Sequence, residues 1–208
     1  MGLEHPTMRA FSLEIDELAT LVGLLHAKKL VGLDEELFRA ISEENLPRVM
    51  AKLNAHGWVR PAERPETWHF NEELMQTLAV AVAPQIAVLA RLEAQGKSVV
   101  CYLADDAITE IVVTNHRAVV AKIDGLEEMA AQVTELLRNA WPGEIVVARV
   151  KGDGFDAGRR AKVDAAGTLS AKTPGLLPEE KNAWTEENVA AFIRGAIADL
   201  RAGAGSSG

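Results

Sequence analysis

Apolar residues in the first third of the chain recur at the three- and four-residue spacing of amphipathic helices. Asp16 and Asp34 are predicted N-caps, because a short carboxylate accepts hydrogen bonds from the first free backbone N–H groups of a helix. Gly57 and Pro84 end the last two of these helices. The three longest stripes are Leu18, Leu21, Val22 and Leu25; Leu46, Val49, Met50 and Leu53; and Leu74, Met75, Leu78 and Val82.

Two short runs rich in aromatic residues lie between the third and fourth helices. Trp58–Arg60 and Thr67–Phe70 flank a loop that contains proline, and this pattern predicts a small β-hairpin. Three helices followed by a two-stranded hairpin is the order of elements in a winged helix. The first third is therefore interpreted as a winged-helix-like region.

The pattern changes after Pro84 from helical spacing to alternation. The even-numbered residues from Ile86 to Leu92 are apolar, whereas Arg91 and Glu93 are charged, so one face of the sheet is expected to be less buried. Short connections can join only antiparallel neighbours, which predicts a four-stranded meander. Its runs are Ile86–Glu93, Ser98–Leu103, Ile108–Val113 and Arg117–Ile123, separated by Gln95-Gly96, Asp105-Asp106 and Asn115.

Two further helices and several strands follow the meander. Asp124 is the predicted N-cap of the first helix, with Glu127 completing a capping box, and Pro142-Gly143 ends it. The remaining predicted elements are a strand over Ile145–Val150, a hairpin over Arg160–Ser170 and a helix from Thr185 that carries Val189, Phe192, Ile193, Ala196, Ile197 and Leu200.

Together these elements predict an α+β fold. An antiparallel β-meander sheet with helices packed on it follows a winged-helix-like N-terminal helical region. The predicted domains are residues 1–83, the helical region, and residues 84–201, the sheet with two long helices; one continuous domain over 10–201 is the alternative. Residues 202–208 are rich in Gly and Ser and predict a flexible tail.

Composition adds limits on function. The chain has 208 residues, 48% hydrophobic and 25% charged, which is enough for a core and excludes a disordered chain. The net charge is −8, and residues 1–83 hold 8 Lys+Arg against 13 Asp+Glu. The candidate recognition helix carries Arg48 and Lys52 behind Glu43 and Glu44. Binding to nucleic acid is not expected, because it requires a surplus of positive charge.

No catalytic, cofactor or metal site is predicted. Cys101 lies inside a strand with its side chain on the side of Val99 and Leu103, as a small buried hydrophobe does. Asp105-Asp106 is interpreted as a tight turn. The glycine-rich segment Lys151–Gly158 lacks the Gly-Lys-Ser/Thr ending of a phosphate loop and is interpreted as a flexible connection. The histidines show no metal-binding spacing: His5, His26, His56, His69 and His116.

Location is predicted from what the chain contains. A single cysteine fits a reducing cytosol. Neither a signal peptide nor an apolar run long enough for a membrane span is predicted. The protein is therefore expected to be cytoplasmic.

The order of elements resembles that of the type VII secretion-associated EspG family, over most of residues 10–200. That family begins with a short strand and a Glu-Leu-rich helix, similar to Phe11–Leu18 here. Ala55–Val59 is similar to its "ARGLV"-like turn, and Pro84, Val88 and Arg91 match its "Pro-x-x-x-V-x-x-R" entry into the sheet.

The resemblance implies a non-catalytic cytosolic chaperone or adaptor that binds a helical protein partner. It identifies no partner-binding residue, and the oligomeric state stays open. Two alternatives remain: a winged-helix transcriptional regulator, and an enzyme whose site is dispersed in sequence and assembled only in space.

Overall fold

The computed structural model describes residues 10–39, 44–64, 67–92, 97–114, 116–138 and 142–204. They form five α-helices, one 3₁₀ turn and eleven strands. In chain order these are β1 (Ala10–Glu14), α1 (Ile15–Leu24), the 3₁₀ turn (Glu35–Phe38), α2 (Leu46–Ala55), β2 (Val59–Pro61), β3 (Trp68–Phe70), α3 (Glu72–Val82), β4 (Ile86–Leu92), β5 (Lys97–Ala104), β6 (Ala107–Thr114), β7 (Arg117–Ile123), α4 (Leu126–Leu137), β8 (Gly143–Lys151), β9 (Gly154–Val163), β10 (Thr168–Ala171), β11 (Asn182–Ala183) and α5 (Glu186–Ala204).

Nine of these strands form one antiparallel sheet in the order β1-β7-β6-β5-β4-β8-β9-β10-β11. The α+β prediction is confirmed, and β4 to β7 are the predicted meander. The predicted hairpin is also present, as β2 and β3. β1 comes from the N-terminal segment but pairs with β7, so that segment contributes a strand to the large sheet. Two of the predicted connections, Gln95-Gly96 and Asn115, lie outside the described residues.

Both faces of the central strands are buried, and the expectation of a less buried face is wrong. Ile86 and Val88 belong to a core under α4 and α5, whereas Ala87 and Leu89 belong to a core under α1 to α3. β4 lies in the middle of the sheet, where each face has its own helices. Its nearly continuous apolar sequence is typical of a strand buried on both faces. We call the two sides the α1–α3 face and the α4–α5 face.

The start of α1 differs from the prediction. Glu14, not Asp16, is its N-cap, and the helix begins at Ile15. The Glu14 N–H donates a 2.8 Å hydrogen bond to the carboxylate of Glu17, which satisfies a free backbone group from inside the helix. Asp16 is therefore a first-turn acid, placed where the helix dipole favours negative charge.

Two other predicted caps have different outcomes. Asp34 does accept the Glu36 N–H at 3.0 Å, but it caps a 3₁₀ turn and not an α-helix. α4 begins after Gly125 rather than after Asp124, because the carboxylate of Glu128 accepts the Asp124 N–H at 2.7 Å. Gly125 has a φ of 139°, a conformation that strains any residue with a Cβ.

The segment Lys151–Gly158 is mostly strand, so its interpretation as a flexible connection is wrong. Lys151 pairs with Gly154 around a tight turn, in which Gly152 has a φ of 58°. Arg149 on β8 reinforces this hairpin through bonds of 2.8 and 3.0 Å to the carboxylate of Asp156. The composition suggested a loop because glycine is common in loops, but here Gly152 forms the turn and Gly158 lies inside β9, paired with Ala148.

The C-terminal helix extends beyond its predicted end. α5 runs to Ala204, three residues into the segment predicted as a flexible tail, and residues 205–208 lie outside the described residues. Within the described part of the chain, no helix is both long and apolar enough to span a membrane.

Candidate partner-binding surface

Cys101 is a structural residue. Its side chain is fully buried on the α4–α5 face, in the same core as Val99 and Leu103, as predicted. Burial raises the pKa of the thiol well above its usual range, and the nearby Glu110 carboxylate raises it further. A reactive thiol needs the opposite setting, exposed and electropositive.

Asp105-Asp106 forms the predicted tight turn between β5 and β6, where Ala104 pairs with Ala107. Asp105 has a φ of 52° and accepts the side-chain amide of Gln85 at 2.9 Å. Its carbonyl oxygen also accepts Arg201 of α5 at 3.1 Å. The carboxylate and the carbonyl of Asp105 are therefore both engaged in contacts that hold the turn in place.

The histidines are spread over the surface. His26, His56, His69 and His116 are exposed, and His5 lies outside the described residues. Across the described ranges, no three His, Cys, Asp or Glu residues lie together in a way that could hold a metal ion.

The cations of the candidate recognition helix are engaged within the protein. In α2, Arg48 lies 3.4 Å and Lys52 3.1 Å from the carboxylate of Asp16 in α1, and Lys52 also binds Glu14. These pairs hold α2 against α1 and reduce the positive charge that α2 presents. Glu43 lies outside the described residues.

We expect this region not to bind DNA. The cations of α2 already have carboxylate partners, and the affinity of proteins for DNA depends on free Lys and Arg. A fluorescence-anisotropy titration with duplex DNA at moderate salt is expected to show no submicromolar binding. Submicromolar binding that weakens as salt is raised would restore the winged-helix regulator.

One part of the α4–α5 face is open to solvent beyond α4, over β6, β7 and the edge strand β1. Ser12 pairs with Val119, and Val119 with Val112, in a row that continues into the core beneath the two helices. Val119 is 38% exposed although it is a large apolar residue, and Val112 is only partly buried. We call this surface the edge face and define it by Ala10, Ser12, Val112, Arg117 and Val119.

The edge face has a shape that suits a helix. Ala10 and Ser12 are small, so a partner's backbone can approach the sheet closely there. α4 packs against β7, on the side of the edge face that leads into the core. The amide of Gln132, oriented to satisfy both groups, donates to the Glu110 carboxylate at 2.9 and 3.0 Å. This contact fixes which side of α4 is turned towards the edge face.

Glu110 lies where α4 begins to cover the sheet. It is only 7% exposed and sits between Cys101 of β5 and Ala121 of β7. Burial, with a smaller contribution from the charge of Glu128, raises its pKa to about 7. Sequence reasoning missed this residue. The available signal was the two-residue period of the strand. Glu110 lies two residues from both Ile108 and Val112, so its side chain is on the same α4–α5 side as theirs.

A second open surface is polar. On the α1–α3 face, β8, β9 and β10 extend beyond the helices and border a hollow of about 570 Å³. Glu144 and Arg160 face each other there at 3.5 Å, next to Lys162 and Ser170. Charged side chains of both signs make this surface a weaker candidate than the edge face for docking an apolar helix stripe.

Comparison with known proteins gives a likeness of fold. No family model matches the chain, and no curated protein matches its sequence. The chain is similar to the solved structure of the Mycobacterium tuberculosis type VII secretion system chaperone EspG5 in complex with a PE25–PPE41 dimer. The TM-score is 0.62 with 13% sequence identity, covering 91% of this chain and 96% of that chain. The resemblance predicted from the order of elements is thus confirmed at the level of the fold.

Proposed function

We propose that this protein is a non-catalytic, cytoplasmic chaperone or adaptor that holds a helical protein partner against its edge face. The observation that carries the proposal is the edge face itself. It is a strip of sheet with Val112 and Val119 at its centre, left open beside α4, in a fold similar to that of a secretion chaperone.

The packing geometry favours a helix over other occupants. Helices pack as a layer on a sheet when apolar side chains fill the space between them. Val112 and Val119 supply apolar contacts at the floor, while the small side chains of Ala10 and Ser12 leave room for those of the partner. An amphipathic partner helix would complete on this side the layer that α4 and α5 form over the rest of the sheet.

Charges beside the floor give the partner an orientation. Arg117 lies on the β7 side of the edge face, and Glu128 lies on α4. A partner helix with a basic residue towards Glu128 and an acidic residue towards Arg117 would match both.

The proposal predicts a specific loss on Val119→Asp. A carboxylate in the centre of the edge face would lose its water under a docked helix and replace an apolar contact with a charge, which is costly even with Arg117 two residues away on the same strand. We expect the affinity for a copurifying helical partner, measured by isothermal titration calorimetry, to fall by more than about tenfold.

The matched control is Leu24→Asp, because Leu24 is similarly exposed, at 43%, at the end of α1 under the opposite face. This variant is expected to bind as the original chain does. Equal affinities for the Val119→Asp variant and the original chain would remove the edge face from the proposal.

A further inference from the structure

Glu110 places a buried carboxyl group beside the edge face. It lies on β6 two residues before Val112, which belongs to the edge face, and both side chains are on the α4–α5 side of the sheet. Two residues of a strand span about 7 Å. The residue is only 7% exposed, so little water reaches the carboxyl group in the free protein.

The groups that face Glu110 do not compensate a negative charge on it. On α4, Gln132 donates its side-chain amide to the carboxylate, and Glu128 adds a like charge. On β5 the neighbour is Cys101, a thiol whose pKa burial raises well above its usual range, and on β7 it is Ala121. Among the residues that the structure describes, no Lys or Arg forms an ion pair with this carboxylate.

A docked helix would bury Glu110 further. A helix with its side chains is about 10 Å wide, so one that lies over Val112 and Val119 reaches about 5 Å towards α4. It would thereby close the space beside Glu110 and displace the water that still reaches the carboxyl group. Because loss of water disfavours the charged form of a carboxyl group, docking is expected to favour the protonated form.

A basic residue on the partner would act in the opposite direction, but on the smaller of two contributions. Burial is the larger cause of the raised pKa of Glu110, and the charge of Glu128 is the smaller one. A partner cation that pairs with Glu128 would cancel the second contribution, whereas docking enlarges the first. The balance therefore favours uptake of a proton.

We propose that docking of the helical partner on the edge face is coupled to the uptake of a proton by Glu110, so that the partner binds more weakly as the pH rises above neutral. The inference rests on the proposed function, because it requires a partner on the edge face. Linkage is reciprocal: docking strengthens the binding of the proton by the same factor as the proton strengthens docking.

The sign and the pH range follow from the free protein. The pKa of Glu110 is about 7 before docking and is expected to be higher in the complex. The contribution of the proton to the affinity is therefore fully present below about pH 7 and is lost as the pH rises through the pKa of the complex. A rise of one pKa unit on docking weakens the affinity about fivefold between pH 6 and pH 8.

The probe is the copurifying helical partner whose affinity falls with Val119→Asp. Its affinity for the full chain is measured by isothermal titration calorimetry at pH 6 and pH 8, and the protons exchanged are counted at pH 7 in buffers of different ionisation enthalpy. The original chain is expected to take up protons on binding and to bind about fivefold more weakly at pH 8.

Glu110→Gln cannot take up this proton, so the uptake and the fivefold change are both expected to disappear. Glu135→Gln, at an exposed position on α4, is expected to keep both. Proton release on binding, or the same pH dependence in the original chain and in Glu110→Gln, overturns the inference. The proposed function still stands in that case, because the probe is sensitive to Val119→Asp. If no copurifying partner is sensitive to Val119→Asp, the proposed function fails and the inference fails with it.

Discussion

Replacing Phe192 with alanine is expected to lower the free energy of unfolding by about 4 kcal/mol. Phe192 is fully buried on α5, in the core shared with β4, β5 and β8. The substitution removes an aromatic ring from a close-packed interior and leaves a cavity that its neighbours fill only in part. Urea denaturation at 25 °C, followed by tryptophan fluorescence, measures the loss.

Phe155→Ala is the matched control, since it removes the same ring from a residue that is 43% exposed. Its cost is expected to stay below about 1.5 kcal/mol, because less apolar surface returns to water. If the free energy of unfolding falls by the same small amount in both variants, α5 does not cover this face of the sheet in the way that the structure shows.

Replacing Glu110 with glutamine is expected to stabilise the protein above neutral pH. The pKa of this carboxyl rises from 4.5 to about 7 on folding, so the folded state binds the proton more tightly than the unfolded state. The contribution of this tighter proton binding to the free energy of unfolding is fully present below about pH 4.5 and is lost as pH rises to about 7. The loss amounts to roughly 3 kcal/mol at 1.36 kcal/mol per pKa unit. The glutamine amide does not ionise, so the variant does not lose stability in this way as pH rises.

The measurement is the free energy of unfolding between pH 5 and pH 8 for the original chain and for Glu110→Gln. The difference between the two is expected to grow with pH in favour of glutamine. Glu135→Gln on α4 removes an equal charge from an exposed site and controls for net charge. A constant difference across the range would show that Glu110 is ionised throughout.

The meander could be predicted from the sequence because its information is local. Period-two alternation and very short connections leave antiparallel neighbours as the one arrangement of β4 to β7. Cys101 and Asp105-Asp106 received the correct structural roles for the same reason, since a strand and a two-residue turn between paired neighbours account for where they lie.

Features that depend on distant packing could not be predicted. β8 pairs with β4, and β1 pairs with β7, so residues far apart in sequence decide which strands lie at the centre and which at the edge. The position of the edge face follows from that strand order and from how much of the sheet α4 covers. The approach of His56 to Glu17 likewise depends on the packing of α2 against α1.

Helix starts were missed by one or two residues for a related reason. At α1 and α4, a glutamate inside the helix bonds back to a backbone N–H, and its side chain decides where the helix begins. Sequence reasoning favoured the aspartates, which are common caps, over these glutamates.

The central claim is that the edge face holds a helical partner, and site-specific cross-linking in the native cell tests it most directly. A photoreactive side chain is placed at position 119 in one variant and at position 24 in the other, and both adducts are analysed by mass spectrometry. The claim predicts a cross-link from position 119 to a helix of one protein, and none to that protein from position 24. A cross-link to the same protein from position 24 alone would contradict it.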